Sequence, residues 1–393
     1  LPHDGRMSET HSEGRAMTTA RELFDIPDGI AYFNTASVAP TLRAGVAAGA
    51  EALRWRAQPW RIRGADWFGG AEERRRLFAG LIGATAEDIA LVPATSYGLA
   101  VAAANLSAPA GGRVLVLDGE YPSGIYTWRR FAERTGATIL TVGRAGGQSW
   151  TEAVLEALDA QVAVVSVPQV HWTDGAALDL DRIAGAARAA GAALVVDASQ
   201  SAGAMPLDVG ALRPDFLVSV GYKWLLGPFG LGYLYVAPEH QGGRPLEENW
   251  IAREDSQDFA RLVEYRDAYQ PGARRFDVGA RTAFELTPMA VAALRQLTEW
   301  TVPGVAGALA RVTGRIAEEA ARRDLGLPAP RGPHMLGVTV PEAFRDRVVP
   351  ALEEAGVYVG ARGDAIRISP HLHTTDEDVD RLFGALDRVL ARR

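Results

Sequence analysis

Four apolar, β-branched runs, separated by helix-patterned segments, constrain this chain more than any other feature. They are Val114-Leu115-Val116-Leu117, Thr138-Ile139-Leu140-Thr141-Val142, Val162-Ala163-Val164-Val165-Ser166-Val167 and Ala193-Leu194-Val195-Val196. None shows strict apolar–polar alternation, so each reads as a strand buried on both faces. Between the last two, Leu180 to Ala190 carries a helical pattern, with Asp179 or Asp181 as its N-cap. Strands that alternate with helices predict a mostly parallel sheet joined by crossovers, an α/β fold. With 393 residues, 48% of them apolar and 23% charged, the chain is long enough for a large core and two lobes. The stretch from about His240 to Arg275 is more polar and irregular, and reads as an active-site or interface loop. After the helix-like Leu286 to Trp300 the composition changes. Met335 to Val340, the helix-like Phe344 to Ala355, Ala365 to Ile368 and a helix after Thr375 predict a small α/β lobe.

Charge and composition exclude several classes of function. The net charge of −7 argues against a nucleic-acid binder, since phosphate binding needs a basic face. No apolar run is long enough to cross a bilayer. Residues 1–16 are polar and lack a hydrophobic signal core. They read as a tag or disordered leader, with Met17 as a natural start and a cytoplasmic location following. The cysteine count of zero removes disulfides, thiolate metal sites and any thiol nucleophile. No ligand spacing suggests a metal.

Lys223 is the only lysine, the rest of the 41 basic residues being arginine. A lysine kept at one position points to chemistry that arginine cannot do, because arginine stays protonated and is no amine nucleophile. It lies in Ser219-Val220-Gly221-Tyr222-Lys223-Trp224, just after the apolar Phe216-Leu217-Val218. A lysine in apolar company is costly without a partner or a task. The plainer reading is a strand-end lysine whose head reaches solvent. Asp197 closes another apolar run, and ligands of open α/β sheets bind at the carboxyl ends of strands. An acid and a lysine so placed suit pyridoxal phosphate (PLP). The lysine forms the Schiff base and the acid keeps the pyridine nitrogen protonated. Thr95, Ser96 and Gly98 open a helical run after Leu91-Val92-Pro93-Ala94. Backbone amides and hydroxyls at a helix start suit a phosphate, and equally a plain N-cap.

Five segments then carry a resemblance: Tyr32-Phe33-Asn34-Thr35-Ala36, Glu120-Tyr121-Pro122-Ser123, Asp197-Ala198-Ser199-Gln200, Gly221-Tyr222-Lys223 and Arg367-Ile368-Ser369-Pro370-His371. In this order they resemble the class V aminotransferase family of fold-type I PLP enzymes. That family includes cysteine desulfurases, selenocysteine lyases and isopenicillin-N-epimerase-like enzymes. The resemblance runs from about Tyr32 to the C-terminus. It implies a large PLP-binding domain over residues 31–284, with its sheet flanked by helices, and a small C-terminal α/β domain over 285–393. Residues 17–30 are the N-terminal segment that joins the small domain. A homodimer with active sites at the subunit interface is implied, and an amino acid or close derivative as substrate. The family's route runs through an external aldimine and a quinonoid. The family name gives an aminotransferase, with a β-eliminating carbon–sulfur lyase or an amino-acid epimerase as alternatives. A desulfurase that holds sulfur as a cysteine persulfide is excluded by the absence of cysteine.

Carried over residue by residue, the resemblance makes Lys223 the cofactor-bearing lysine and general base, and Asp197 the partner of the pyridine nitrogen. Gln200 corresponds to a glutamine that hydrogen-bonds the cofactor's phenolic oxygen, and Thr95 and Ser96 to phosphate donors. Tyr121 stands where a ring stacks on the pyridine, commonly histidine in desulfurase relatives. Tyr222 replaces a frequent histidine and Val220 a frequent serine, so the Tyr222 hydroxyl stands in as a phosphate donor. Arg281 lies where relatives send a loop to the phosphate in the other subunit; a surface arginine is the alternative. His171 resembles a contact of the phenolic oxygen or the substrate, against the alternative of a structural histidine. Arg367, in an apolar strand, needs an anion. In the family it grips the substrate carboxylate with a two-pronged bond; pairing with an acid of the fold is the alternative. Asn34 and Thr35 pass the substrate pocket or simply form a turn.

Overall fold

The computed structural model describes residues 19–391, so the expected leader at 1–16 and the first two residues of the 17–30 segment lie outside it. A two-residue strand β1 (Ala31–Tyr32) comes first. Seven strands then build one sheet: β2 (Ile89–Val92), β3 (Arg113–Leu117), β4 (Thr138–Val142), β5 (Val162–Pro168), β6 (Ala193–Asp197), β7 (Phe216–Val220) and β8 (Gly232–Val236). Their order is β2-β8-β7-β6-β5-β3-β4. The pairs from β4 through β7 are parallel, and β8 runs antiparallel to both its neighbours. This is the expected α/β fold, and the four apolar runs are β3 to β6.

The runs fail to alternate because helices cover both faces of the sheet. Leu115, Val165, Leu194 and Leu217 enter one core. Val114, Val164, Val195 and Phe216, each one residue away, enter the other. Local signals fix the covering helices. Asp179, not Asp181, caps Leu180–Ala190, accepting a hydrogen bond from the Arg182 N–H at 3.1 Å. Gly191 ends that helix in the left-handed region at φ 74.

A third core gathers Phe33 with Val338, Leu352, Ile366, Ile368, Leu382 and Leu386. Its strands are β9 (Leu336–Thr339), β10 (Val357–Tyr358), β11 (Gly360–Arg362) and β12 (Ala365–Ile368). β11, β12 and β9 form an antiparallel sheet, and β10 pairs in parallel with β1. The N-terminal strand is thus stitched to the C-terminal third of the chain. The helices Thr287–Trp300 and Val302–Ala321 join two of the cores, placing Leu294, Leu297 and Leu309 in the first and Ile316 and Ala320 in the third. Between about His240 and Arg275 only short 3-10 turns form, such as Trp250–Ala252 and Phe259–Arg261. That stretch frames a cleft of about 510 Å³ lined by residues 248–267.

Candidate active site

Register brings the expected residues together. Pro168 pairs with Asp197, and Asp197 with Val218, so β5, β6 and β7 end nearly level. The segments that leave these ends, and those of β2 and β3, carry Trp172, Asp197, Lys223, Thr95 and Tyr121. Lys223 Nζ lies 5.7 Å from the centre of the Tyr121 ring and 5.8 Å from that of Tyr222. Burial lowers the Lys223 pKa to about 8, against the opposing pull of the Asp197 carboxylate, and the Arg367 and Arg362 charges lower it further. The amine is therefore more available in neutral form than an exposed lysine's. Burial raises the Asp197 pKa, while its bonds from Ser199 and the Lys223 charge lower it; the Ser199 N–H donates to Oδ1 at 2.8 Å. Glu120, next to Tyr121, is pushed up to about 7 by burial, despite a bond from the Tyr121 N–H at 2.6 Å, and the Asp197 charge adds to the rise.

Thr95 opens the helix Thr95–Asn105, which no side chain caps. Its Oγ1 lies 2.7 Å from Ser199 Oγ, and Ser96 beside it is exposed. Gly98 lets this helix start press against β7: a Cβ there would sit 2.6 Å from Val218 Cγ2. The uncapped N–H groups of such a start are ready anion donors. The Tyr222 ring stacks on the exposed Phe229 at 3.7 Å, and burial, then the Tyr121 and Asp197 charges, raise its pKa.

Arg367 comes from β12 and is 1% exposed. It donates to the Trp172 carbonyl and to Ser37 Oγ, both at 2.7 Å, and its Nε is buried without a partner. Among the described residues no acid pairs with it, so the alternative of an internal ion pair fails. Burial, then the Arg362 charge, lowers its pKa to about 9. Asn34 bridges to Ser369 beside this strand, and its Oδ1 and the Thr35 Oγ1 are buried without hydrogen bonds.

Three expected residues are engaged by partners within the fold. Gln200 is buried with its amide engaged at both ends: Nε2 donates to the Ala36 carbonyl at 3.1 Å, and Oε1 accepts from Trp224 Nε1 at 2.9 Å. His171 is stacked on Trp150, its Nδ1 2.7 Å from Thr173 Oγ1 and its Nε2 3.3 Å from the Asp118 carbonyl. Arg281 is no surface arginine. It is 1% exposed, because Asp277 at 3.2 Å and Glu72 at 3.1 Å draw its side chain inward.

Two residues join the cluster without a signal of their own in the sequence, Ser37 and Arg362. Arg362 donates to Ser37 Oγ at 3.3 Å, and its guanidinium lies 5.4 Å from the Trp172 ring centre. A hairpin reading of Arg362-Gly363-Asp364-Ala365 would have found it, since a Gly-Asp turn puts Arg362 and Arg367 on one face.

Taken together, these residues fit PLP. An amine freed by burial lies in the field of a buried carboxylate and near two tyrosine rings, and an uncapped helix start stands by. Residues 62–382 match the family described as Aminotransferase class-V. The chain belongs to this family. It is therefore an enzyme. It is 29% identical to an uncharacterized aminotransferase of Bacillus subtilis (strain 168), over 84% of this chain and 86% of that protein. It is 28% identical to the isopenicillin N epimerase of Streptomyces clavuligerus, over 81% of this chain and 84% of the other. A solved structure of a C-DES variant, with glycine covalently linked to its PLP cofactor, superposes with a TM-score of 0.84 at 20% identity, over 94% of this chain and 99% of that one. At that identity the likeness speaks for the fold. The relatives' names span different activities, so membership fixes the family and not the reaction.

Proposed function

We propose that this chain is a PLP-dependent enzyme that works at the α-carbon of an amino acid or close derivative, with amino-group transfer as its reaction. One observation carries the reading. The sole lysine, its pKa lowered to about 8, meets Asp197 in a site where Arg367 has no acid to pair with. PLP bound here supplies an electron sink for charge that develops at the α-carbon. Asp197 holds the proton on the ring nitrogen. The Thr95 and Ser96 backbone N–H groups and hydroxyls, with the Tyr222 hydroxyl, hold the phosphate. Tyr121 stacks on the ring, and the remaining Gln200 amide N–H serves the phenolic oxygen. Arg367 takes the substrate carboxylate through Nε and its free N–H groups, with Asn34 and Thr35 beside it. Lys223 Nζ takes the α-proton. His171 stays packed on Trp150, and Arg281 stays paired with Glu72 and Asp277.

Epimerisation is the second reading, favoured by the two tyrosine rings at 5.7 and 5.8 Å from Lys223 Nζ, since a phenol can return a proton that the amine removed. Carbon–sulfur elimination is the third outcome of the same test. The holoenzyme is offered a panel of amino acids, and products are read by mass spectrometry and chiral chromatography. A keto acid supports transfer, inverted stereochemistry supports epimerisation, and ammonia with pyruvate supports elimination. In this reading the active form is a cytoplasmic homodimer, with the exposed Phe259, Leu262, Val263 and Tyr265 at the subunit contact. Among the described residues no helix is long and apolar enough to cross a membrane.

A further inference from the structure

We infer that the substrate carries a second anionic group and that Arg362 receives it. The inference rests on the reading of Arg367 as the α-carboxylate anchor. Two guanidinium groups share one face of the β11–β12 hairpin. Arg362 pairs with Ala365 and Gly360 with Arg367, so all four side-chain positions face the same way. Both arginines reach the same neighbours. Arg367 bonds Ser37 Oγ at 2.7 Å and the Trp172 carbonyl, while Arg362 bonds Ser37 Oγ at 3.3 Å and lies over the Trp172 ring. Both charges also bear on Lys223, whose pKa each lowers. They form one wall of one site.

That wall carries two guanidinium charges, and a simple amino acid offers it one carboxylate. Among the described residues neither arginine has a carboxylate within ion-pair distance, and the Nε of each is buried without a hydrogen-bond partner. Burial lowers the pKa of both. Arg367 is buried and Arg362 half-buried, and a cation taken out of water is costly unless an anion meets it. Asp197 already answers Lys223. One substrate carboxylate answers one guanidinium, and the second remains. The cofactor phosphate is not its partner, because its donors lie at the Thr95 helix start and neither arginine bonds them. The Arg362 guanidinium lies over the Trp172 ring, one terminal nitrogen donates to the Ala361 carbonyl and the other to Ser37 Oγ, and the unpartnered Nε with the second N–H of each terminal nitrogen is left for a carboxylate. The class of substrate that completes this site is an α-amino acid with an acidic side chain.

The test uses PLP-loaded enzyme and follows the cofactor absorbance while acid–amide pairs are titrated, aspartate against asparagine and glutamate against glutamine. In at least one pair the acid is expected to bind at least about tenfold more tightly than its amide, the worth of one charge-assisted hydrogen bond. Arg362→Met keeps a stem of similar length over Trp172 and removes the charge. It is expected to weaken the acid about tenfold more than the amide, and Arg362→Lys to restore part of the preference. Equal affinity of acid and amide in the wild type, in both pairs, overturns the inference, and that comparison does not depend on the folding of any variant. Equal weakening of both ligands by Arg362→Met overturns it too, because the two arginines would then grip a single carboxylate. A holoenzyme that responds to amides but not acids sinks this inference alone. One that responds to no amino acid sinks the functional reading with it.

Discussion

Replacing Arg367 with methionine separates a buried charge kept for a ligand from one kept for the fold. Arg367 is 1% exposed and makes two hydrogen bonds at 2.7 Å, to the Trp172 carbonyl and Ser37 Oγ. Bonds to a charged donor are worth about 1.5–3 kcal/mol each. Against them stands the burial of a cation without a counter-charge, an effective penalty of several kcal/mol. The two nearly cancel, so Arg367→Met should shift unfolding stability by no more than about 1 kcal/mol. Arg75 is the control. Its guanidinium holds Asp277 in paired bonds of 3.0 and 2.7 Å, and both side chains are fully buried. Arg75→Met leaves the Asp277 carboxylate only Arg281 Nε at 3.2 Å and the Leu91 N–H as partners, and should cost about 3 kcal/mol, the lower end for breaking a buried pair. Denaturant unfolding reads both. Binding should show the converse: Arg367→Met weakens amino acids at least about tenfold while decarboxylated amines bind as before. Should Arg367→Met lose as much stability as Arg75→Met, or weaken acids and amines alike, Arg367 is a structural residue and the anchor assignment fails.

Asp197→Ala should slow turnover on the order of a hundredfold or more, since each 1.4 kcal/mol of lost stabilisation is about tenfold; near-normal rates in steady-state assays would refute its role. Acid should destabilise the fold through its histidines. Burial lowers the pKa of His334 and His373 to about 4 and that of His371 well below the usual range. The unfolded chain takes up these protons below about pH 6.5 and the folded one does not. Stability is therefore lost as pH falls from about 6.5 towards 4, by about 1.4 kcal/mol per pH unit for each histidine. Glu120, pushed up to about 7, opposes this with a single proton. A melting temperature that stays level across that window would contradict the buried neutral histidines.

The sheet was legible because burial on both faces leaves an unmistakable run of apolar residues, as in Val162 to Val167, and because Asp179 and Thr375 mark helix starts by their chemistry. Lys223 and Asp197 were legible for a different reason: one is the sole lysine, the other an acid that ends a buried strand. What the sequence hid were pairings at a distance. Arg281 lies in a polar loop that suits a phosphate contact or a surface arginine alike, yet Asp277 and Glu72, one of them 209 positions away, draw it inside. Ser37 sits in a turn with no periodic pattern, and only the fold brings it 330 positions along the chain to Arg367. Arg362 is one arginine among many, and it stands out only when β11 and β12 are paired. Gln200 illustrates the remaining gap, since its neighbours Ala36 and Trp224 decide how much of its amide is left for a ligand.

The most direct test of the whole account is borohydride reduction of the purified holoenzyme, followed by peptide mass spectrometry. A yellow protein should bleach, and a reduced pyridoxyl adduct should appear on the peptide that contains Lys223, the only lysine available. A protein that stays colourless after PLP is added, or an adduct absent from the Lys223 peptide, would contradict it.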